Sequence, residues 1–201
     1  MDGTHLPEIE RLARELDDAE RDARTLVDGL TDARAAWRAA PGSWSVAECL
    51  DHIATANRVY LAAMRPPAEA ALANGRMRRR PAEPGLIGRW FVRTLEPPER
   101  PNRNKMKAPQ KIRPRTAPAL ADAFAAFLAS QDEARAFLRT YAHIDLAGVR
   151  FPNPFVRVVR FSLATGLHVI PAHERRHLRQ AWRAREAAPG KTPSASPSAS
   201  A

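Results

Sequence analysis

Apolar residues recur at spacings of three and four along most of the chain, the signature of helices that bury one face. Between Leu6 and Ala39 the stripe is Ile9, Leu12, Leu16, Ala19, Ala23, Leu26, Val27 and Leu30. It predicts a long amphipathic helix, with Gly29 interrupting it or ending its first part and Pro41-Gly42 as its stop. Ser45-Val46-Ala47-Glu48 then reads as a capping box, the Ser45 hydroxyl accepting from the Glu48 N–H and the Glu48 carboxylate reaching back. Trp44 precedes it, placed to staple onto Cys49. A second helix is expected from about Val46 to about Asn74, broken or kinked at Pro66-Pro67. Its apolar residues cover much of the circumference, so it is expected to be buried.

The periodicity lapses from Arg76 to Pro118, apart from a short helix expected over Leu86 to Leu95. Glu96 to Pro118 is rich in proline and basic residues, a long connector of the kind that often binds ligands. A third helix is expected over Ala119 to Tyr141, followed by a turn-rich link from Asp145 to Pro154. The fourth is expected from Phe155 to about Ala187, either kinked at Pro171 or restarting there with Pro171 in the first helical position. Residues 188–201 are mostly Pro, Ser and Ala, expected to be a disordered tail. The expected fold is all-α: a four-helix bundle over residues 1–187 with a long irregular connection between helices two and three.

Composition supports that reading. Alanine, leucine, arginine and glutamate dominate, all good helix formers, and 201 residues suffice for one core. Thirty-two Lys and Arg against 22 Asp and Glu give a net charge of +10. Much of the excess lies in Arg76 to Arg80 and Arg100 to Arg115, as a solvated face or as an attraction for anionic ligands. Charge alone does not make a nucleic-acid binder, and neither aromatic stacking platforms nor a DNA-reading motif accompanies it. Cys49 is the single cysteine, so no intrachain disulfide forms. The N-terminal stretch with Asp2, Glu8 and Glu10 is no signal peptide, and no apolar run approaches the ~20 residues that span a bilayer. A cytoplasmic location without membrane contact is expected.

The candidate chemistry is histidine chemistry. His173-Glu174-Arg175-Arg176-His177 sets two imidazoles four residues apart, on one face of a helix, where they can chelate one metal ion. The same letters match the H-E-x-x-H pattern of zinc peptidases. Those enzymes need a further ligand downstream, and here little chain follows; its sole acid is Glu186, and Gln180 stands where the extended pattern needs glycine. A peptidase is therefore disfavoured, and a third ligand must come from upstream. His52 lies in the second helix on the side of Cys49, Ala56 and Val59, and periodicity alone does not decide whether that side faces the bundle centre.

Trp44-Ser45-Val46-Ala47-Glu48-Cys49-Leu50-Asp51-His52-Ile53, with His173-Glu174-Arg175-Arg176-His177-Leu178-Arg179-Gln180 far downstream, resembles the DinB-like superfamily. The resemblance is nearest to its branch of metal-dependent hydrolases and bacillithiol S-transferases. Lys105-Met106-Lys107-Ala108-Pro109 resembles a segment common in that branch, and the likeness spans about Leu30 to Arg185. It implies a bundle of up-down-down-up order around one divalent ion (zinc, nickel, iron or manganese) held by His52, His173 and His177. Pro171, two residues before His173, and the extra His168 depart from the pattern. His168 is read as a surface residue or a neighbour of the ligands.

Three histidines leave coordination positions open for water or substrate, as in catalytic sites. An ion there lowers the pKa of bound water or deprotonates a thiol, routes to hydrolysis and to thiol transfer. Glu174 and Glu48 are candidate bases, with helix cap and surface charge as their alternative roles. Gln180, on the face of His173, is placed to orient a ligand, and Arg176 to meet an anion. Lys105 and Lys107 in the connector are candidates to draw in a carboxylate-bearing small molecule. The expected function is that of a metal-dependent enzyme on a small molecule, of the thiol S-transferase or hydrolase type, with a low-molecular-weight thiol as candidate partner. The alternative is a non-catalytic metal- or small-molecule-binding bundle of the stress-response kind. A homodimer is the expected assembly on frequency alone.

Overall fold

Four long helices carry the apolar stripes in the computed structural model, which describes residues 6–97, 108–156 and 158–190. Helix α1 spans Pro7–Val27, α2 is the single turn Asp32–Ala35, and α3 spans Val46–Ala73. Helix α4 is Leu86–Leu95, α5 is Leu120–Tyr141 and α6 is Leu163–Ala187. A 3-10 turn, Gln110–Ile112, lies in the connector before α5. Strands β1 (Arg150–Pro152) and β2 (Arg160–Ser162) pair antiparallel ahead of α6. The fold is thus mostly helical with a small two-stranded sheet.

The elements differ from the periodicity in three places. The first stripe divides, because Gly29 adopts a left-handed φ of +62° after α1 and Thr31 caps a separate turn, accepting from the Arg34 N–H at 3.4 Å. Helix α3 runs through Pro66 and Pro67. Each proline frees the carbonyl four residues back, on Ala62 and Ala63; Ala62 is exposed and Ala63 half-buried, so water can reach them. The fourth helix begins at Leu163, not Phe155. The Asn153 side chain accepts from the N–H groups of Phe155 and Val156 at 2.8 and 3.0 Å and turns the chain into the hairpin. Ser162 then caps α6, its hydroxyl accepting from the Thr165 N–H at 3.1 Å. Pro171 lies inside α6, which neither stops nor restarts there.

Helix α3 packs on both α5 and α6, and α1 packs on the same two, so each long helix has two long neighbours. Helix α4 lies against α6, its Gly88 so close to Thr165 that a Cβ would stand 2.3 Å from the hydroxyl oxygen. Two apolar clusters fill the interior. One gathers Leu12, Leu16, Leu61, Met64, Phe137 and Leu167, the other Leu26, Cys49, Ile53, Phe127 and Leu178. On α3, α5 and α6 the chain passes from one cluster to the other through polar residues. These are His52 and Asn57, then Ser130 and Gln131, then His173, Glu174 and His177. Buried polar groups are costly unless satisfied, so this layer marks the place to look for function. Residues 191–201, most of the expected tail, lie outside the described residues.

Candidate metal centre

His52 comes from the first half of α3, in which the capping box fixes the helix start. The Ser45 hydroxyl accepts from the Glu48 N–H at 3.2 Å, and the Glu48 carboxylate accepts from the Ser45 N–H at 2.9 Å. Glu48 also accepts from Arg38 at 2.8 Å, so it is committed to capping and pairing. His173 and His177 lie one turn apart on α6. Because α3 and α6 are in contact, the three rings meet. Their centroids are 4.9 Å (His52–His173), 4.4 Å (His52–His177) and 4.5 Å (His173–His177) apart. One ring nitrogen from each lies within 4.8 Å of the others.

The nitrogens suit an ion. His52 Nε2 and His173 Nε2 are 3.2 Å apart. Two nitrogens held tetrahedrally at 2.0–2.1 Å from zinc stand about 3.3 Å apart. The tautomers suit it as well. His52 donates its Nδ1–H to the Ile112 carbonyl, and His177 donates its Nδ1–H to Gln180 Oε1 at 3.1 Å. Each bond leaves Nε2 as a bare lone pair, the state a metal requires.

Burial keeps the rings neutral. Desolvation lowers the pKa of His52 to about 4, against smaller opposing effects of the Ile112 carbonyl and Asp51. Desolvation, then His52 and Arg176, lower that of His173 to about 3. His177 is pushed well below the ordinary histidine value by desolvation and by the other two rings. His52 is buried, whereas His173 and His177 keep partial exposure, which gives the cluster a side toward solvent. Trp44 closes another side, its ring 4.5 Å from that of His52 and 5.5 Å from that of His177.

Glu174 sits in the same layer but turns toward α3 and α5. Its Oε1 accepts from Asn57 Nδ2 at 2.6 Å and from Gln131 Nε2 at 2.7 Å. Ser130 joins through Asn57 at 3.2 Å. Full burial pushes the Glu174 pKa up to about 8, against the opposing bonds from Asn57 and Gln131. At neutral pH it is a carboxylic acid. Glu174 Oε2 and Gln131 Oε1 are buried without a hydrogen-bond partner.

Of the other expected residues, Gln180 touches a ligand histidine, while Arg176 donates to the Thr94 carbonyl at 2.9 Å and so ties α6 to α4. His168 lies elsewhere, donating to the Ala164 carbonyl at 2.8 Å and meeting Arg11 at 3.2 Å. Lys105 and Lys107 fall outside the described residues. Sequence reasoning missed Ile112, Asn57 and Gln131. A backbone carbonyl leaves no trace in residue identity, and Asn57 and Gln131 read as unremarkable helical polar residues. It also passed over Asp51, which accepts from Arg115 in the connector: from the backbone N–H at 2.8 Å and from Nε at 2.7 Å.

The family model described as the DinB superfamily matches residues 15–181, and the chain belongs to that superfamily. Nothing matches it among curated proteins or among solved structures.

Proposed function

We propose that this member of the DinB superfamily binds one divalent metal ion through His52, His173 and His177 and uses it on a small-molecule substrate. The observation that carries the reading is the convergence of three neutral imidazoles, two of them fixed in the tautomer that aims Nε2 inward. Zinc, nickel, iron and manganese all suit imidazole or the mixed sites built with it. The ring of four long helices is read as an up-down-down-up bundle, with the site between α3 and α6. The single cysteine fits a reducing cytoplasm.

A bound ion would supply Lewis acidity to a water or thiol at a position the histidines leave open. The chain's own contribution is orientation and shielding. Ile112 and Gln180 hold the rings, Trp44 walls the site, and the partly exposed edges of His173 and His177 leave the approach. Both candidate carboxylate bases are committed elsewhere, Glu48 to its cap and Arg38, Glu174 to Asn57 and Gln131. A bound ion would therefore have to activate the thiol or the water by itself, and both routes are open to a three-histidine site. Arg176, Lys105 and Lys107 would draw in an anionic substrate such as a carboxylate-bearing thiol.

The test is the metal content of the purified, tag-free protein beside a His173→Ala/His177→Ala variant. About one ion per chain, lost in the variant, is expected. No uptake of zinc, nickel, iron or manganese would reduce the histidines to core packing. Uptake with no activity on any thiol or hydrolysable substrate would leave a binding bundle without catalysis.

A further inference from the structure

We infer that Asp51 and Arg115 form a latch seating the Gln110–Ile112 turn on His52, so that metal binding and docking of this turn stabilise each other. The inference rests on the metal-binding reading above.

Asp51 is 4% exposed, although it is a carboxylate. Both of its oxygens are used by one residue, Oδ2 by the Arg115 backbone N–H and Oδ1 by Arg115 Nε. The Arg115 side chain stays 60% exposed. A half-exposed ion pair adds little stability, so stability does not explain the arrangement. Position does. Arg115 stands three residues after Ile112, and between them the chain has no room to wander once both ends are fixed.

The turn is fixed at its other end by Ile112. The Ile112 side chain is 5% exposed, its N–H donates to the Pro109 carbonyl at 3.0 Å, and its own carbonyl accepts from His52 Nδ1. Asp51 and His52 are consecutive on α3, so one stretch of helix grips the connector at two adjacent points. Removing the grip would leave the His52 Nδ1–H buried without an acceptor, or let the ring adopt the tautomer that blocks Nε2. Either outcome opposes metal binding. By linkage, an ion on His52 Nε2 must favour the docked turn by the same factor.

The test pairs two readouts on wild type, Asp51→Ala and Arg115→Ala: zinc affinity against a competing chelator, and tryptic cleavage after Lys111 with and without zinc. The bond after Arg113 precedes Pro114 and resists trypsin, whereas Lys111 is exposed and adjoins Ile112. Zinc is expected to slow cleavage there in wild type. Asp51→Ala should weaken zinc binding about 10- to 100-fold, the range for losing support of a ligand histidine, and should speed cleavage. Arg115→Ala keeps the backbone N–H bond and should fall between. If Asp51→Ala fails to fold, Arg115→Ala and the wild-type protection decide. Unchanged zinc affinity in the variants, or cleavage indifferent to zinc in a protein that binds it, overturns the coupling. A wild type that takes up no ion sinks the metal reading itself, and the coupling with it.

Discussion

Asn57 on α3 donates to the Glu174 carboxyl on α6 at 2.6 Å, deep in the core and next in sequence to a candidate metal ligand. Gln131 on α5 adds a second donor to the same oxygen, so one carboxyl group joins three helices. The layer is satisfied on one oxygen and short of a donor on the other. A protonated Glu174 removes the buried charge.

The pH dependence follows with a definite sign. The Glu174 pKa rises on folding from 4.5 to about 8. Its contribution to stability is complete below the unfolded value and is lost as pH climbs through the folded one. The histidines titrate in the unfolded chain around pH 6.5 with the opposite sign, so the Glu174 contribution is read from the difference in stability between wild type and Glu174→Gln. Urea unfolding of the metal-free proteins should show wild type losing stability relative to that variant between about pH 6.5 and 8, on the order of a kcal/mol or more. Glu174→Gln keeps the two accepted bonds and adds a permanent donor. It should fold, show a more positive pH slope than wild type, and exceed wild type in stability near pH 8. An equal slope in the variant would place the titrating group elsewhere.

The histidines predict a contrasting behaviour. With folded pKa values of about 4 for His52 and about 3 for His173, both stay neutral and metal-competent well into acid. Zinc affinity should change less than about tenfold between about pH 7.5 and 5.5, whereas a site of unperturbed histidines would lose about tenfold per ligand. The metal-free fold pays for this neutrality. Its stability, complete above about pH 6.5, should fall as pH drops toward the folded values. His52→Gln should reduce that acid slope. A steep acid loss of zinc with an acid-insensitive apo fold would contradict the burial argument.

How much of this was legible in the sequence depended on what each feature is made of. His173 and His177 could be read because a four-residue spacing is a geometric statement on any helix. His52 could not be placed by periodicity, since α3 is apolar nearly all round, and only family resemblance brought it to the site. The capping box at Ser45 was readable for the same local reason as the histidine pair. The equivalent cap at Ser162 was hidden behind Phe155 to Phe161, whose apolar residues mimic a helix, whereas Asn153 turns the chain there from β1 toward β2. Contacts supplied by backbone atoms, such as the Ile112 carbonyl, exist only once the connector has been laid over α3.

Packing of α6 on α3 yields a stability prediction. A Cβ on Gly166 would stand 2.3 Å from Met64 Sδ and 2.9 Å from the Phe151 ring. Alanine gains about 1 kcal/mol of helix propensity over glycine. Overpacking a filled core costs about 1–3 kcal/mol, and here the clash engages a sulfur and a buried ring together. Gly166→Ala should therefore destabilise on balance, read as a lower urea midpoint with an unchanged slope. A stabilised variant would mean that Met64 has room to move aside.

Gln180 separates two roles that its position alone left open. If it orients substrate, Gln180→Ala should raise KM and leave metal binding intact. If it holds His177 through Nδ1, as the 3.1 Å contact indicates, the same variant should weaken zinc about tenfold or more before any substrate is added. The conservative change gives the sharper test. Gln180→Glu keeps an acceptor at that position and makes it anionic, which strengthens the bond to the Nδ1–H and raises the basicity of Nε2. Zinc affinity should then match or exceed wild type, although the amide is gone. A substrate-orienting amide would be lost in both variants alike, so parallel loss of function with unchanged zinc affinity would assign Gln180 to the substrate instead.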